Sequence, residues 1–138
     1  MKNRILTIYL FVAGLIMMAV GGYIGLEPSG YFATMMLDAE LPPSTNMLSD
    51  LRGMGGVLLM FGLITLASAF KPGWMSFGLN ASALVYTAFV VFRGLGFLVE
   101  GLPEAEILIA WSIEIFMMLA GGWLIARKHS ASGVACSC

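Results

Sequence analysis

Three ionisable residues stand out in the long apolar stretches of this sequence: Arg52, Arg93 and Glu114. An ionisable side chain inside hydrocarbon costs roughly 2.5–3.5 kcal/mol on insertion scales, so such residues usually face protein and pair with one another. Glu114 follows about ten residues of its apolar stretch, which places it roughly 15 Å deep along a helix. These residue types and positions predict a buried polar site.

The chemistry that such a site favours is the binding of an anion. Two guanidinium groups in apolar surroundings favour a carboxylate or phosphate, and we expect Arg52 and Arg93 to converge as a cationic pair. Tyr86 and Glu114 are expected below that pair, as hydrogen-bonding or proton-handling groups. Neighbouring glycines would leave room for a lipid-like ligand: Gly53, Gly55, Gly56, Gly94 and Gly96.

An alternative without a ligand is that the arginines pair with acidic side chains and extend toward the headgroups, which would set helix register only. Ser49 and Asp50 are typical of a helix N-cap, and Arg52 would then simply reach the membrane surface. The acidic partners available are Asp50, Glu100, Glu106 and Glu114. The candidate ligand-binding residues are therefore Arg52, Arg93, Glu114, Tyr86, Glu100 and Glu106.

Metal binding is the alternative chemistry, and its ligands would be Cys136 and Cys138, with His129 upstream. Cysteine thiolates select soft metals, but a reduced, free C-terminal tail is the commoner reading of such a pair. The eleven methionines are typical packing residues. Because His129 is the only histidine, no Ser-His-Asp or Cys-His arrangement fits inside the apolar stretches. We expect no catalytic residue, no cofactor and no metal.

The composition indicates a membrane protein. Of 138 residues, 59% are apolar and 11% are charged, against about 45–50% and 25% in soluble domains, and the mean hydropathy is +0.92. So few charges do not cover the surface of a soluble fold. The net charge of −1 excludes nucleic-acid binding, which needs a basic patch.

Four apolar stretches are long enough to cross a bilayer, which requires roughly 20 residues each. They are residues 5–26, 47–70, 74–99 and 104–126. The tight turns at residues 71–73 and 100–103 make consecutive spans antiparallel neighbours. The sequence therefore predicts an all-α, four-helix membrane bundle in one domain, 1–128, with a short interfacial helix at 31–37 and a flexible tail, 129–138.

The basic residues indicate the orientation of the bundle. Lys2, Arg4, Lys71, Arg127 and Lys128 all fall on one side, which the positive-inside rule assigns to the cytoplasm. Both termini are then cytoplasmic. The first apolar run is longer than the hydrophobic core of a signal peptide, so we expect it to be retained as a span.

Helical periodicity assigns faces to the spans. Ser82, Tyr86, Arg93 and Glu100 share one face of the third span, and this polar stripe is expected to face protein. Small residues recur on one face of the first span, at Gly14, Gly21 and Gly25, and Gly121 lies on the Glu114 face of the fourth. Because glycines allow close helix approach, we expect the first and fourth spans to pack together.

Three segments carry a resemblance to a known family: residues 41–46 (LPPSTN), residues 51–56 (LRGMGG) and residues 92–96 (FRGLG), followed by the glutamate-containing fourth span. The chain resembles an uncharacterised bacterial family of four-span membrane proteins, a domain of unknown function, over about residues 5–126. More loosely, its layout is similar to DoxX-like proteins. The resemblance implies the bacterial cytoplasmic (inner) membrane and carries no known reaction.

These observations predict a small membrane protein without an established reaction. It would be an accessory subunit of a membrane protein partner, or a binder of a lipid-like anionic ligand in an outward-side polar pocket. Two alternatives remain open. One is a proton-coupled carrier in which Glu114 titrates, which with so few spans requires a homodimer. The other is a small lipid- or quinone-modifying enzyme that uses Glu114 as acid or base.

Overall fold

The computed structural model describes residues 2–35, 43–103 and 105–133, and these are almost entirely helical, with no strand among them. The order is α1 (Lys2–Leu26), α2 (Pro28–Met35), α3 (Thr45–Phe70), a 3₁₀ turn (Pro72–Trp74), α4 (Met75–Glu100) and α5 (Ala105–Gly133). The predicted all-α class is confirmed.

Four of these helices are long and apolar enough to cross a membrane. The qualifying segments contain 23, 26, 28 and 24 residues, and at about 1.5 Å per residue each exceeds a hydrocarbon core of about 30 Å. The fold is therefore that of a multi-pass membrane protein. We call the end that contains Lys2 and Lys128 the inner end, and the end that contains α2 and the α4–α5 turn the outer end.

The helix bounds follow local sequence signals. The Ser44 hydroxyl accepts a hydrogen bond from the Met47 backbone amide at 3.3 Å and caps α3, so Ser49 and Asp50 lie inside the helix and are not its cap. α4 ends at Glu100 and is followed by Gly101, whose φ of 101° strongly favours glycine. α5 continues to Gly133, so it includes the first residues of the predicted tail.

A short helix before the second span is present. α2 begins at Pro28, separated from α1 only by Glu27, and proline is well suited to the first helical position. The ring of Tyr31 on α2 lies edge-on to that of Tyr23 on α1, with centroids 6.2 Å apart. This contact holds the short helix against the outer end of the bundle.

The closest helix pair is α1 and α3, which corrects the prediction that the first and fourth spans pack through glycines. A Cβ atom on Gly14 would lie 2.6 Å from the Leu66 backbone nitrogen, and one on Gly62 would lie 2.5 Å from that of Met18. Gly21 and Gly55 are equally close to the facing backbone. The first span's glycines therefore meet glycines of its neighbour in sequence, because both helices offer a flat face.

The α1–α3 pair meets the α4–α5 pair through a buried apolar core, which includes Leu10, Leu79 and Met117, and through polar contacts toward the inner end. The Tyr9 hydroxyl donates to the Met117 carbonyl at 3.2 Å and accepts from the Ser82 hydroxyl at 3.4 Å. A Cβ atom on Gly121 would collide with the Tyr9 hydroxyl, and one on Gly78 with the Ser68 hydroxyl. These contacts close the inner half of the bundle.

Replacing Tyr9 with phenylalanine tests this closure. Loss of its hydroxyl leaves Ser82 and the Met117 carbonyl without that partner, and we expect the free energy of unfolding to fall by about 0.5–1.5 kcal/mol. Detergent-induced unfolding followed by circular dichroism measures the change. Tyr23→Phe is the control, because Tyr23 is 46% exposed. Equal stability of the two variants would contradict the role of the Tyr9 hydroxyl.

Candidate functional site

Arg93 on α4 and Glu114 on α5 form an ion pair in the outer half of the bundle. Arg93 Nε lies 3.2 Å from Glu114 Oε2, and the two side chains are 27% and 13% exposed. By position along their helices they lie about 10 Å and 13 Å from the outer helix ends. The two ionisable groups therefore face protein, as expected, and they pair across two helices.

The ion pair leaves hydrogen-bonding capacity unused. Glu114 Oε2 is buried and has no aligned hydrogen-bond partner in the described part of the chain. A guanidinium carries N–H donors on three nitrogens, and the contact with Glu114 is made through Nε of Arg93. Within residues 2–35, 43–103 and 105–133, no side chain or carbonyl accepts from the two terminal amino groups of Arg93. As far as the described residues go, these amino groups are available to a ligand.

The aromatic ring of Phe89 supports the guanidinium. Arg93 Cζ lies 5.6 Å from the centroid of Phe89, one helical turn earlier on α4, a distance at which a cation and an aromatic face attract each other. Nearby, Trp111 Nε1 donates to the Val90 carbonyl at 3.1 Å, and its ring meets Phe97 edge-on at 5.2 Å. These contacts join α4 to α5 and position Arg93.

The ion pair lines a cavity of about 480 Å³ between the two helix pairs. The lining is mainly aliphatic and aromatic and comes from all five α-helices, with Arg93 and Glu114 as its charged members. The cavity extends inward as far as Met17, Leu58 and Tyr86. An apolar cavity with a few convergent polar groups is the usual form of a small-molecule site. We call this cavity the chamber.

A second, outer groove of about 750 Å³ lies beside the cavity. Arg93, Phe89 and Tyr31 line both spaces, and the groove continues along Phe97 to the turn at residues 101–103. Arg93 therefore lies where the apolar chamber meets the outer groove. A molecule seated there would place its polar end at Arg93.

Tyr86 lies on the cavity wall, but its hydroxyl is already engaged. It donates to the Ala13 carbonyl on α1 at 3.1 Å, and the residue is 3% exposed. Ser82, on the same face of α4, is fully buried. The predicted polar stripe therefore faces protein at these positions, where Tyr86 ties α4 to α1 and forms the floor of the chamber.

The structure brings together three of the predicted site residues: Arg93, Glu114 and Tyr86. Arg52 and Glu106 are exposed and belong to neither lining. Arg52 thus does not converge with Arg93, and its exposure agrees with an arginine that reaches the headgroups. The side chain of Glu100 lies outside the described residues.

Sequence reasoning missed the apolar residues that shape the chamber. Phe89 had a signal, since it precedes Arg93 by one turn on the same helix face. Tyr31 and Met54 had none, because their place on the wall depends on how α2 and α3 sit against the other helices.

The described residues contain no group of three histidine, cysteine or acidic side chains that would hold a metal ion. Cys136 and Cys138, the alternative metal ligands, lie outside the described residues, as does the side chain of His129.

Fold and site define a small helical multi-pass membrane protein with an ion pair on the wall of a partly open cavity. The chain belongs to the family described as Domain of unknown function (DUF4345), which matches residues 5–125. The predicted membership of an uncharacterised family is thereby confirmed, and the looser DoxX-like similarity stays a prediction. No curated protein and no solved structure matches the chain.

Proposed function

We propose that this protein binds an anionic amphiphile within the membrane, with the head group at Arg93 and the apolar chain in the cavity. The observation that carries the proposal is the position of Arg93, whose guanidinium stands at the junction of an apolar chamber and the outer groove. Its terminal amino groups have no hydrogen-bond acceptor in the described part of the chain.

The presence of the chamber favours a ligand-binding role for the ion pair over a purely structural role. A pair that only joins α4 to α5 needs no adjoining space, yet this one borders about 480 Å³, within the range of about 300–1,000 Å³ found for ligand pockets. A guanidinium recognises carboxylate or phosphate oxygens through paired N–H donors. Apolar walls around such a donor suit a molecule with one anionic end and one hydrocarbon end.

The proposal includes a location in the bacterial cytoplasmic membrane, with both ends of the chain in the cytoplasm. Basic residues with aromatic neighbours cluster at the inner end. Lys71 Nζ lies 4.7 Å from the Trp74 ring centroid, and Arg127 Cζ lies 5.1 Å from that of Trp123. Lys128 donates a hydrogen bond to Ser76 at the same end. Such residues anchor the cytoplasmic interface, so the chamber would lie in the outer leaflet.

The inner contacts favour binding over carriage. A carrier needs a route from the chamber to the cytoplasm, whereas Tyr9, Ser82 and Gly121 are in close contact across that route. An enzyme that used Glu114 as acid or base would first have to release its carboxylate from Arg93. Binding requires no route to the cytoplasm, and it is compatible with an accessory role beside a larger membrane protein.

The test is a comparison of Arg93→Gln with Arg52→Gln in nanodiscs of phosphatidylcholine. Loss of charge-assisted hydrogen bonds to an anion costs about 1.5–3 kcal/mol, so Arg93→Gln should weaken binding roughly 10- to 100-fold. Arg52→Gln should bind as the parent does, because Arg52 is exposed and away from the chamber.

Three probes identify the ligand chemistry: oleate, phosphatidylglycerol and the uncharged oleyl alcohol. Binding of oleate but not of phosphatidylglycerol would indicate a free fatty acid as the source of the anion. Binding of phosphatidylglycerol but not of oleate would indicate a lipid head group. Equal binding of oleyl alcohol, or an equal effect of the two arginine variants, would contradict the proposal.

A further inference from the structure

We infer that the anion enters the chamber together with one proton, which Glu114 takes up, so that the site exchanges an internal ion pair for an arginine–ligand ion pair. This inference rests on the proposed function, because it concerns the same ligand at the same guanidinium. It adds a regulatory property, namely that occupancy depends on pH.

Charge balance at the site calls for a proton when an anion binds. Arg93 and Glu114 together carry no net charge when paired. An anionic head group on the terminal amino nitrogens would place two negative charges around one guanidinium, inside apolar walls. Like charges a few ångströms apart disfavour each other strongly where water is excluded. A proton on Glu114 removes this repulsion and returns the site to neutrality.

The carboxylate of Glu114 is placed where it can take up that proton. Oε2 of Glu114 is buried and has no aligned hydrogen bond within the described residues; its contact with Arg93 Nε at 3.2 Å is the ion pair that the ligand anion would replace. A protonated carboxyl carries an O–H donor that a carboxylate lacks. Glu114 lines the same chamber as Arg93, so this donor is available to the ligand head group.

Among the described groups that line the chamber, no other group competes with Glu114 for the proton. Facing Glu114, α4 contributes Arg93 and Tyr86, α1 contributes Tyr23 and α2 contributes Tyr31, whereas α3 contributes only Leu51, Met54 and Leu58. Guanidinium and phenol groups ordinarily keep their protons near neutral pH. The hydroxyl of Tyr86 is moreover bound to the Ala13 carbonyl. Among the described residues that line the chamber, Glu114 is the one that carries a carboxyl group.

The experiment counts protons. Hexadecyl sulfonate is a suitable probe, because its head group stays anionic at every pH near neutrality and does not titrate itself. We would measure its binding to the full chain in phosphatidylcholine nanodiscs by titration calorimetry. The same titration is repeated in two buffers with different ionisation enthalpies, so that the difference in heat gives the number of protons taken up.

We expect the parent to take up about one proton per sulfonate bound, and its affinity to fall by up to about tenfold per pH unit as the free site becomes ionised. Glu114→Gln should bind without proton uptake, with an affinity independent of pH and higher than the parent's at alkaline pH. Glu106→Gln is the matched control, an exposed acid on the same helix, and should behave as the parent does.

Binding by the parent without proton uptake would overturn the inference and leave the proposed function standing. Failure of the parent to bind any anionic amphiphile at any pH would remove both. Proton uptake that persists in Glu114→Gln would assign the proton to another group and so overturn the inference. If Glu114→Gln does not fold, the proton count of the parent still decides.

Discussion

Replacing Arg93 with methionine is expected to lower the free energy of unfolding by about 1.5–3 kcal/mol, below the roughly 3–5 kcal/mol of a fully buried ion pair, because the two side chains are only partly buried. The reason is that Glu114, with its side chain only 13% exposed, would keep a carboxylate in apolar surroundings without its guanidinium. Unfolding in mixed micelles with increasing dodecyl sulfate measures the loss.

The double variant Arg93→Met with Glu114→Met provides the sharper result. Removing both charges leaves two apolar side chains of suitable size, and replacing a buried pair in this way is often neutral or stabilising. We therefore expect the double variant to be more stable than the Arg93→Met single variant. Glu106→Met is the control and should change little, since Glu106 is exposed. Additive losses in the double variant would show that the two groups are not coupled.

The same double variant separates a structural role from a binding role. If it folds and no longer binds an anionic amphiphile, the ion pair is a recognition element of the chamber. Unchanged binding would leave the pair with only the task of joining α4 to α5, which is the alternative that the sequence also allows.

Alanine at Gly55 is the second substitution with a large expected effect. A Cβ atom there would lie 2.7 Å from Gly25 Cα and 2.8 Å from the Ile24 carbonyl carbon. These are backbone atoms, which do not swing aside, so α1 and α3 must separate. Overpacking of this kind typically costs about 1–3 kcal/mol, and the same dodecyl sulfate titration measures it.

The adjacent residue supplies the control for this test. A Cβ atom on Gly56 would have no heavy atom within 4 Å outside its own helical surroundings. Alanine is a better helix former than glycine by about 0.5–1 kcal/mol, so Gly56→Ala should leave stability unchanged or raise it slightly. If both alanine variants behave alike, the glycine contacts between α1 and α3 do not decide how closely these helices approach.

The helix pairing explains why a chamber exists where it does. Glycines let α1 and α3 approach closely along much of their length, and Tyr9, Ser82 and Gly121 join this pair to α4 and α5 toward the inner end. In the outer half the chamber lies between the two pairs, and α2 contributes Tyr31 to its wall. The chamber is thus a consequence of which residues are small and where they lie.

The amino-acid sequence by itself determined the four membrane-crossing helices, because a bilayer imposes a minimum length of apolar residues on any span. It also determined that Arg93 and Glu114 face protein, since an ionisable group in contact with acyl chains has a high solvation penalty. The inward face of α4 followed in the same way from the spacing of Ser82, Tyr86 and Arg93.

Only the tertiary structure decided which helix each face meets. Periodicity assigns a residue to a face but does not name the partner, and the glycines of α1 suited α5 as well as α3 by that criterion. The pairing of α1 with α3 left Arg52 exposed and brought Tyr86 to Ala13, while Arg93 met Glu114 on α5. Such choices depend on the summed fit of whole helix surfaces, to which residues far apart in the chain contribute together.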